Sequence, residues 1–352
     1  MNRTQKVWAV ATAAMGLGAG LAAQRSVVKR RRRDDPEGGE KFGERRGIRQ
    51  RNLDLPDGAR LFIEEAGPEV RRGAVFVHGS ALRSDVWHYQ LPGLNGHRLV
   101  FYDLRGHGRS QPKGKSDFSI AVLADDLATV IDASELDEAV IVGHSIGAFI
   151  ALQLACTRPD LLGTKVKGLV LSNATYRPAA ETIAGGEAIA RIERITRRPF
   201  DVLGRQHARI EQLRKMLRPS DTVFLGVSLA AFGPGASASQ IDFTYDMVSE
   251  TSMDVLFGLV RAYRDYDVSE LLDAVTVPTL IIAGTHDRLT VASAAEYLAE
   301  HLPKAELEVL EGCGHMPMLE RHERFNRLVA KFLDEVLGGP EPRDQDGMER
   351  ST

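Results

Sequence analysis

Residues 140–149 read Val140-Ile141-Val142-Gly143-His144-Ser145-Ile146-Gly147-Ala148-Phe149. An apolar, β-branched run, which favours a strand, passes through Gly-x-Ser-x-Gly straight into a helix-forming segment. In a strand–turn–helix of this kind the serine takes a strained backbone conformation that lifts its Oγ above the sheet edge. Gly143 and Gly147 then fall where side chains would strike the neighbouring strand and helix. The five-residue pattern alone recurs by chance in chains this long, so its surroundings must carry the reading.

Those surroundings alternate between strand and helix. Residues 73–77 form a short apolar strand running into His78-Gly79-Ser80-Ala81, and residues 97–103 form another ending in Asp103-Leu104-Arg105-Gly106-His107-Gly108-Arg109-Ser110. Ile120, Leu123, Leu127, Val130 and Ile131 share one helical face, and 167–172 is again a strand. Strands that are apolar throughout and separated by helices predict an α/β fold: a mostly parallel sheet covered on both faces. A hairpin with a Pro56-Asp57-Gly58 turn precedes them. The alternation breaks over 176–267, where helical patterns dominate, including a basic amphipathic stretch at 191–218. It resumes with a strand at 278–284, a helix at 292–301, a strand at 305–310 and a last helix at 320–337. The chain therefore divides into an N-terminal apolar segment, basic block and linker (1–50), a first part of the core (51–175), an inserted helical cap (176–267), a second part of the core (268–337) and a disordered tail (338–352).

A serine hydroxyl is a weak nucleophile at neutral pH. It needs a base within hydrogen-bond reach, and the base needs an acid to fix its tautomer and stabilise its cation. Around this kind of turn the order along the chain is serine, acid, histidine. Asp287 in Gly284-Thr285-His286-Asp287 and His315 in Gly312-Cys313-Gly314-His315 each follow a strand, and loops after parallel strands gather along one sheet edge. Asp265 and Asp267 are rivals for the acid, but they precede the strand. Cys313 has no turn of its own and reads as a packing residue. His78 and His144 read as scaffold hydrogen-bonders, and Asp103 and Arg105 as braces for loops beneath the site.

On these residues the chain resembles the α/β-hydrolase superfamily over 51–337. Gly143-His144-Ser145-Ile146-Gly147 resembles its nucleophile elbow, and His78-Gly79-Ser80 its oxyanion loop. The Asp103–Ser110 stretch resembles the turn after its fourth strand. Gly314-His315 with Pro317 and Glu320 resembles its histidine loop. The resemblance implies an eight-stranded sheet, a catalytic Ser145, Asp287 and His315, and oxyanion donors at the backbone N–H groups of Ser80 and Ile146. It departs from the family at Ser80, where many relatives carry a bulkier apolar residue, and at Arg288-Leu289-Thr290, which lacks a proline often found there. Relatives that open epoxides or remove halide carry a carboxylate at the elbow, so Ser145 points to an acyl-enzyme. The expected activity is a serine esterase, with acylglycerols or other lipid-like esters among its substrates. Carbon–carbon bond hydrolysis and perhydrolysis use the same triad, and a non-catalytic ligand-binding protein on this fold is the alternative of another class.

Composition bounds the rest. At 352 residues and 43% hydrophobic the chain can bury a large core, and a net charge of −3 argues against nucleic acid as a partner. Two cysteines, neither in a Cys-x-x-Cys or His-rich setting, imply no disulfide framework and no structural metal; no cofactor is expected. Residues 7–23 form an uncharged apolar run. At about 1.5 Å per residue it reaches roughly 25 Å, a little short of a bilayer core. Arg25 and Lys29 to Arg33 follow it, a stop-transfer pattern that predicts a membrane anchor with a cytoplasmic catalytic domain. A cleaved signal peptide with export, and a poorly ordered N-terminal extension, are the other readings. Oligomeric state is not encoded in any of these patterns.

Overall fold

The computed structural model describes residues 24–113, 117–178 and 221–339. Eight strands form one sheet: β1 (Arg49–Asp54), β2 (Arg60–Ala66), β3 (Arg72–Val77), β4 (Arg98–Tyr102), β5 (Glu138–His144), β6 (Val166–Ser172), β7 (Thr279–Gly284) and β8 (Ala305–Leu310). Their spatial order is β1-β2-β4-β3-β5-β6-β7-β8, antiparallel at β1–β2 and β2–β4 and parallel from β4 to β8. The parallel strands need crossovers, supplied by α1 (Ile120–Ala133), α2 (Ile146–Thr157) and α6 (Ala292–His301); α7 (His322–Leu337) closes the chain. Between β6 and β7 lie the inserted helices α3 (Asp221–Ala231), α4 (Ala238–Glu250) and α5 (Met253–Asp265).

Side chains alternate across the sheet, and both sets are apolar. Val75, Val77 and Ile141 face α1 and α2, while Ala74, Phe76, Val140 and Val142 face the opposite layer with Phe325, Val329 and Leu333 of α7. Each fully buried aliphatic or aromatic side chain contributes roughly 1.5–3 kcal/mol of transfer free energy, so the sheet is held from both faces. Helix α2 is buried almost all round, with Phe149, Ile150 and Leu152 inaccessible. That fixes its N-terminus relative to β5.

The N-terminal region departs from the sequence reading. Among the described residues, no helix is long and apolar enough to cross a membrane. The expectation of a transmembrane helix and a membrane-anchored enzyme is corrected accordingly. The apolar run 7–23, on which the anchor and signal readings both rest, lies outside the described residues, as do the basic stretch 191–218 and tail residues 340–352. The basic block expected to flank a bilayer lies instead against the insert, in a helix covering 24–33. Val28 is buried, Arg31 Nη1 donates to Ser228 Oγ at 2.7 Å, and Arg32 forks onto Asp242 at 3.0 and 2.8 Å with its guanidinium over Phe224. These charges find protein partners where lipid headgroups were expected.

Residues 34–50, read from their polarity as a linker, are packed. Asp35 Oδ2 accepts from the Ser239 N–H at 2.7 Å, in the first turn of α4, where the helix offers unpaired donors. Glu37 accepts from Tyr89 Oη at 2.8 Å and Gln240 Nε2 at 3.1 Å, and from the Ser237 hydroxyl. Phe42 stacks on Phe243 at 4.9 Å between ring centroids. Arg45 is inserted beneath β2. It pairs with the fully buried Glu64 and lies 4.6 Å over the Phe101 ring. Glu64 also accepts from Gln50 Nε2 at 3.0 Å, Ser84 Oγ at 3.0 Å and Arg109 Nη1 at 3.3 Å. A charged segment thus supplies a counter-ion to the core. Composition alone cannot distinguish that from a solvated linker.

The two readings of Arg45 differ in magnitude. Removing one partner of a buried ion pair costs about 3–5 kcal/mol, whereas a linker side chain costs less than about 0.5 kcal/mol. Arg45→Ala is expected to lower the unfolding free energy by about 3 kcal/mol in urea titration. A change within the linker range would show that Glu64 does not depend on it.

Candidate active site

β5 ends at His144 and α2 begins at Ile146, with Ser145 alone between them at φ 53° and ψ −121°. A left-handed φ on a serine is uncommon and costs free energy, which the surrounding packing holds in place. The Ser145 N–H donates to the Ser172 carbonyl at 2.9 Å, and its own carbonyl accepts from Ala148 N–H at 2.8 Å. Both flanking glycines are required by space. A β-carbon on Gly143 would lie 2.5 Å from the Gly147 carbonyl oxygen, and one on Gly147 2.1 Å from the Val77 carbonyl oxygen. Ile146 is the first residue of α2, where backbone N–H groups have no acceptor within the helix. Ser80, expected from the sequence as an oxyanion donor, follows β3. The next residue, Ala81, has φ 60°, and its N–H donates to His107 Nε2 at 3.2 Å.

Asp287 and His315 come together from loops after β7 and β8. His315 Nδ1 lies 2.8 Å from Asp287 Oδ2, and both side chains are buried. Asp287 Oδ1 accepts from the N–H groups of Leu289 at 2.8 Å and Thr290 at 3.0 Å. Its Oδ2 accepts from the Thr290 hydroxyl at 2.5 Å and Asn173 Nδ2 at 2.6 Å. Burial on its own raises the Asp287 pKa. The positive side of His315 and the hydrogen bonds from His315 and Thr290 outweigh it, and the carboxyl is held well below the usual carboxylate range. Asp287 is therefore ionised and accepts the Nδ1 proton. Asp265 and Asp267, the rival acids, lie before β7. Cys313 is fully buried and burial pushes its thiol up, so it is not a thiolate nucleophile.

The histidine loop is held on several sides. The His315 N–H donates to the Ala231 carbonyl, at the end of α3, at 2.8 Å, and the His315 carbonyl accepts from His144 Nε2 at 2.7 Å. Glu320, buried, accepts from the N–H groups of Gly314 at 3.0 Å, Met316 at 3.1 Å and Gly233 at 2.7 Å. One carboxylate thus binds both neighbours of His315 and the insert.

Asn173 and Thr290 belong to the site and are not singled out by sequence reasoning. Asn173 follows β6 with φ 53°, a conformation asparagine tolerates better than most residues. An Asn just after an apolar strand is the available signal. Thr290, in the stretch that lacks a proline, supplies a hydroxyl and an N–H to Asp287. Beneath the site, Asp103 Oδ1 accepts from Ser84 N–H at 2.7 Å and Oδ2 from Arg109 N–H at 2.8 Å. Arg105 forks onto Asp126 at 2.8 and 2.7 Å. Both act as loop braces. Among the described residues no cluster of His, Cys, Asp and Glu is arranged to hold a metal.

Comparison with known proteins places this geometry in context. A family model described as alpha/beta hydrolase fold matches residues 75–322. A Variovorax paradoxus (strain S110) protein, named provisionally as the carbamate hydrolase RutD, is 29% identical over 279 residues, covering 78% of this chain and 97% of that protein. A hydrolase from Pseudomonas aeruginosa PA01 superposes with a TM-score of 0.64 at 26% identity, covering 81% of this chain and 98% of that one. Est816, described as an N-acyl homoserine lactone degrading enzyme, superposes with a TM-score of 0.62 at 25% identity, covering 80% of this chain and 100% of that one.

The buried histidines carry a pH signature. Burial lowers His78 to about 4 and, with the neighbouring His78, lowers His107 to about 3, against 6.5 for each when exposed. Both stay neutral in the fold while the unfolded chain takes up protons, so stability is full above pH 6.5 and is lost as pH falls from 6.5 toward 4 and 3. Asp287 adds a further loss below its unfolded value of 3.8. Thermal unfolding from pH 7.5 to 4 should show Tm falling by several degrees. His107→Gln should make the slope shallower, and a Tm that stays flat down to pH 4.5 would refute the neutral assignment.

Proposed function

The chain is a hydrolase that belongs to the α/β-hydrolase family, and we propose that it cleaves carboxylic esters through an acyl-enzyme on Ser145. The observation that carries this reading is the Asp287–His315 pair, bonded at 2.8 Å, on the same sheet edge as a serine held at φ 53° between a strand and a helix. Ser145 Oγ attacks the ester carbonyl carbon while His315 Nε2 takes the hydroxyl proton. Negative charge develops on the carbonyl oxygen, which the N–H groups of Ser80 and Ile146 receive; one such donor is worth on the order of a hundredfold or more in rate. Asp287 remains ionised and stabilises the imidazolium. The C–O bond breaks, His315 returns the proton to the departing alkoxide, and the alcohol leaves. Water then attacks the acyl-enzyme with His315 as base, releasing the acid and restoring the serine.

The preference for lipid-like esters loses its support, because it leaned on a membrane anchor. The relatives' names widen the search in another direction: a carbamate and a lactone, like an ester, carry a heteroatom leaving group on the attacked carbonyl. An ester panel of varied acyl length, with lactones and carbamates included, is the appropriate screen.

A fluorophosphonate probe should label the wild type and fail to label Ser145→Ala. His315→Ala should be labelled far more slowly. Asp287→Asn should lower kcat by about three to four orders of magnitude with little change in KM, because Asn cannot hold the Nδ1–H tautomer. Near-normal turnover in Asp287→Asn would move the acid elsewhere. An unlabelled, folded wild type would favour a ligand-binding protein.

A further inference from the structure

The residue before the nucleophile touches both loops that frame it, and we infer that His144 is a positioning residue that sets the His315 imidazole relative to Ser145. This rests on His315 serving as the base. The His144 side chain is buried at the end of β5. Its Nε2 lies 2.7 Å from the His315 carbonyl oxygen, and since a carbonyl only accepts, the proton is on Nε2. The two rings lie 4.9 Å apart at 57°. The other edge of the ring meets the oxyanion loop: a β-carbon on Gly79 would fall 2.7 Å from His144 Nδ1 and 3.0 Å from Cε1. Among the described residues the buried Nδ1 accepts no hydrogen bond, and that edge of the ring is held by shape.

The other hydrogen bonds on the histidine loop lead elsewhere. Ala231 lies in the insert, as does Gly233, which bonds to Glu320 in the histidine loop's own continuation; His286 N–H reaches the Cys313 carbonyl from the loop after β7, and Asn173 Nδ2 the Gly314 carbonyl from the end of β6. The bond from His144 returns directly to the peptide that carries Ser145. A shift of this ring therefore moves the base and the nucleophile relative to each other, whereas a shift of the insert moves the loop as a whole. A misplacement of about 1 Å between reacting groups can cost on the order of a hundredfold in rate. The requirement is a side chain that fills the ring's volume and puts a donor where Nε2 is. Gln keeps such a donor, while Leu keeps volume without it.

The experiment uses the full chain and measures ester kinetics, fluorophosphonate labelling and thermal unfolding on His144→Leu, His144→Gln and Gly79→Ala. His144→Leu should lower kcat by about tenfold to a hundredfold with KM within about threefold, and slow the probe in proportion. His144→Gln should recover kcat to within about threefold of wild type at an unfolding temperature similar to that of the Leu variant. Gly79→Ala, which presses on the ring from the opposite edge, should also lower kcat. His144→Leu with wild-type turnover, or His144→Gln falling as far as His144→Leu, overturns the inference. Should His144→Leu not fold, an unchanged kcat in Gly79→Ala overturns it. An inactive wild type, or a fully active His315→Ala, would instead remove the triad reading on which it stands.

Discussion

The close approach of one helix to one strand end governs the rest of the site. Helix α2 can start where it does because residue 147 has no β-carbon; any other side chain there would begin 2.1 Å from the Val77 carbonyl oxygen. That approach sets the Ile146 N–H beside the loop after β3 and forces Ser145 into its left-handed turn. A second approach of the same kind lies across the sheet edge. A β-carbon on Gly284 would fall 2.3 Å from the Gly314 carbonyl oxygen, so the end of β7 and the histidine loop touch through bare backbone. The Ser145 side and the Asp287–His315 side are each assembled by glycine-permitted backbone packing. Only then do hydrogen bonds refine them.

Charge fastens the outer layers to this frame. Glu64 has no exposed surface, yet it gathers Arg45 from the N-terminal segment, Arg109 from the turn after β4 and Ser84 from just beyond the oxyanion loop. Arg83, next to Ser84, pairs with Glu250 at the end of α4. Glu37 joins Tyr89 of the core to Ser237 and Gln240 of the insert. Exposed ion pairs contribute little, with a median near 0–1 kcal/mol. A network around a buried carboxylate differs, because each donor removed leaves charge unsolvated. The N-terminal segment is therefore part of the fold that supports the oxyanion loop, and the insert is tied to the core at several points.

These two levels explain what was legible in the sequence. The sheet could be read because β-branched apolar runs such as 140–142 must be buried, and the period of side-chain alternation is local. The elbow could be read because its glycines are fixed by sterics within five residues. Asp287 and His315 could be placed on one edge from strand polarity alone, and they do meet. The N-terminal region was misread because a run of arginines has the same composition whether it faces phosphate headgroups or Asp242 and Ser228. Only the fold reveals that partners 200 residues away are waiting. Asn173 and Thr290 were missed for a related reason. Their value lies in lone pairs and N–H groups aimed at Asp287, and such direction is a property of loops, which carry no periodic signal. Thr290 reads in the sequence as one residue of an ordinary loop, and in the structure it gives Asp287 two donors.

On the proposed reading, the choice of base among several nearby histidines turns on what their ring nitrogens already do. His78 Nδ1 bonds to the Gly79 carbonyl at 2.8 Å and its Nε2 accepts from Leu104 N–H at 2.9 Å. His107 is committed at both nitrogens, to Arg105 O and Ala81 N–H. His144 has given its one proton to the His315 carbonyl, and burial foremost, then the nearby His315, keep it from gaining another. Each would have to break a buried hydrogen bond, or accept charge without solvent, before moving a proton to substrate. His315 differs because its fixed partner is a carboxylate. Asp287 holds Nδ1 and orients the ring. The neutral histidines around it exclude water and bear hydrogen bonds, which strengthens the Asp287–His315 pair.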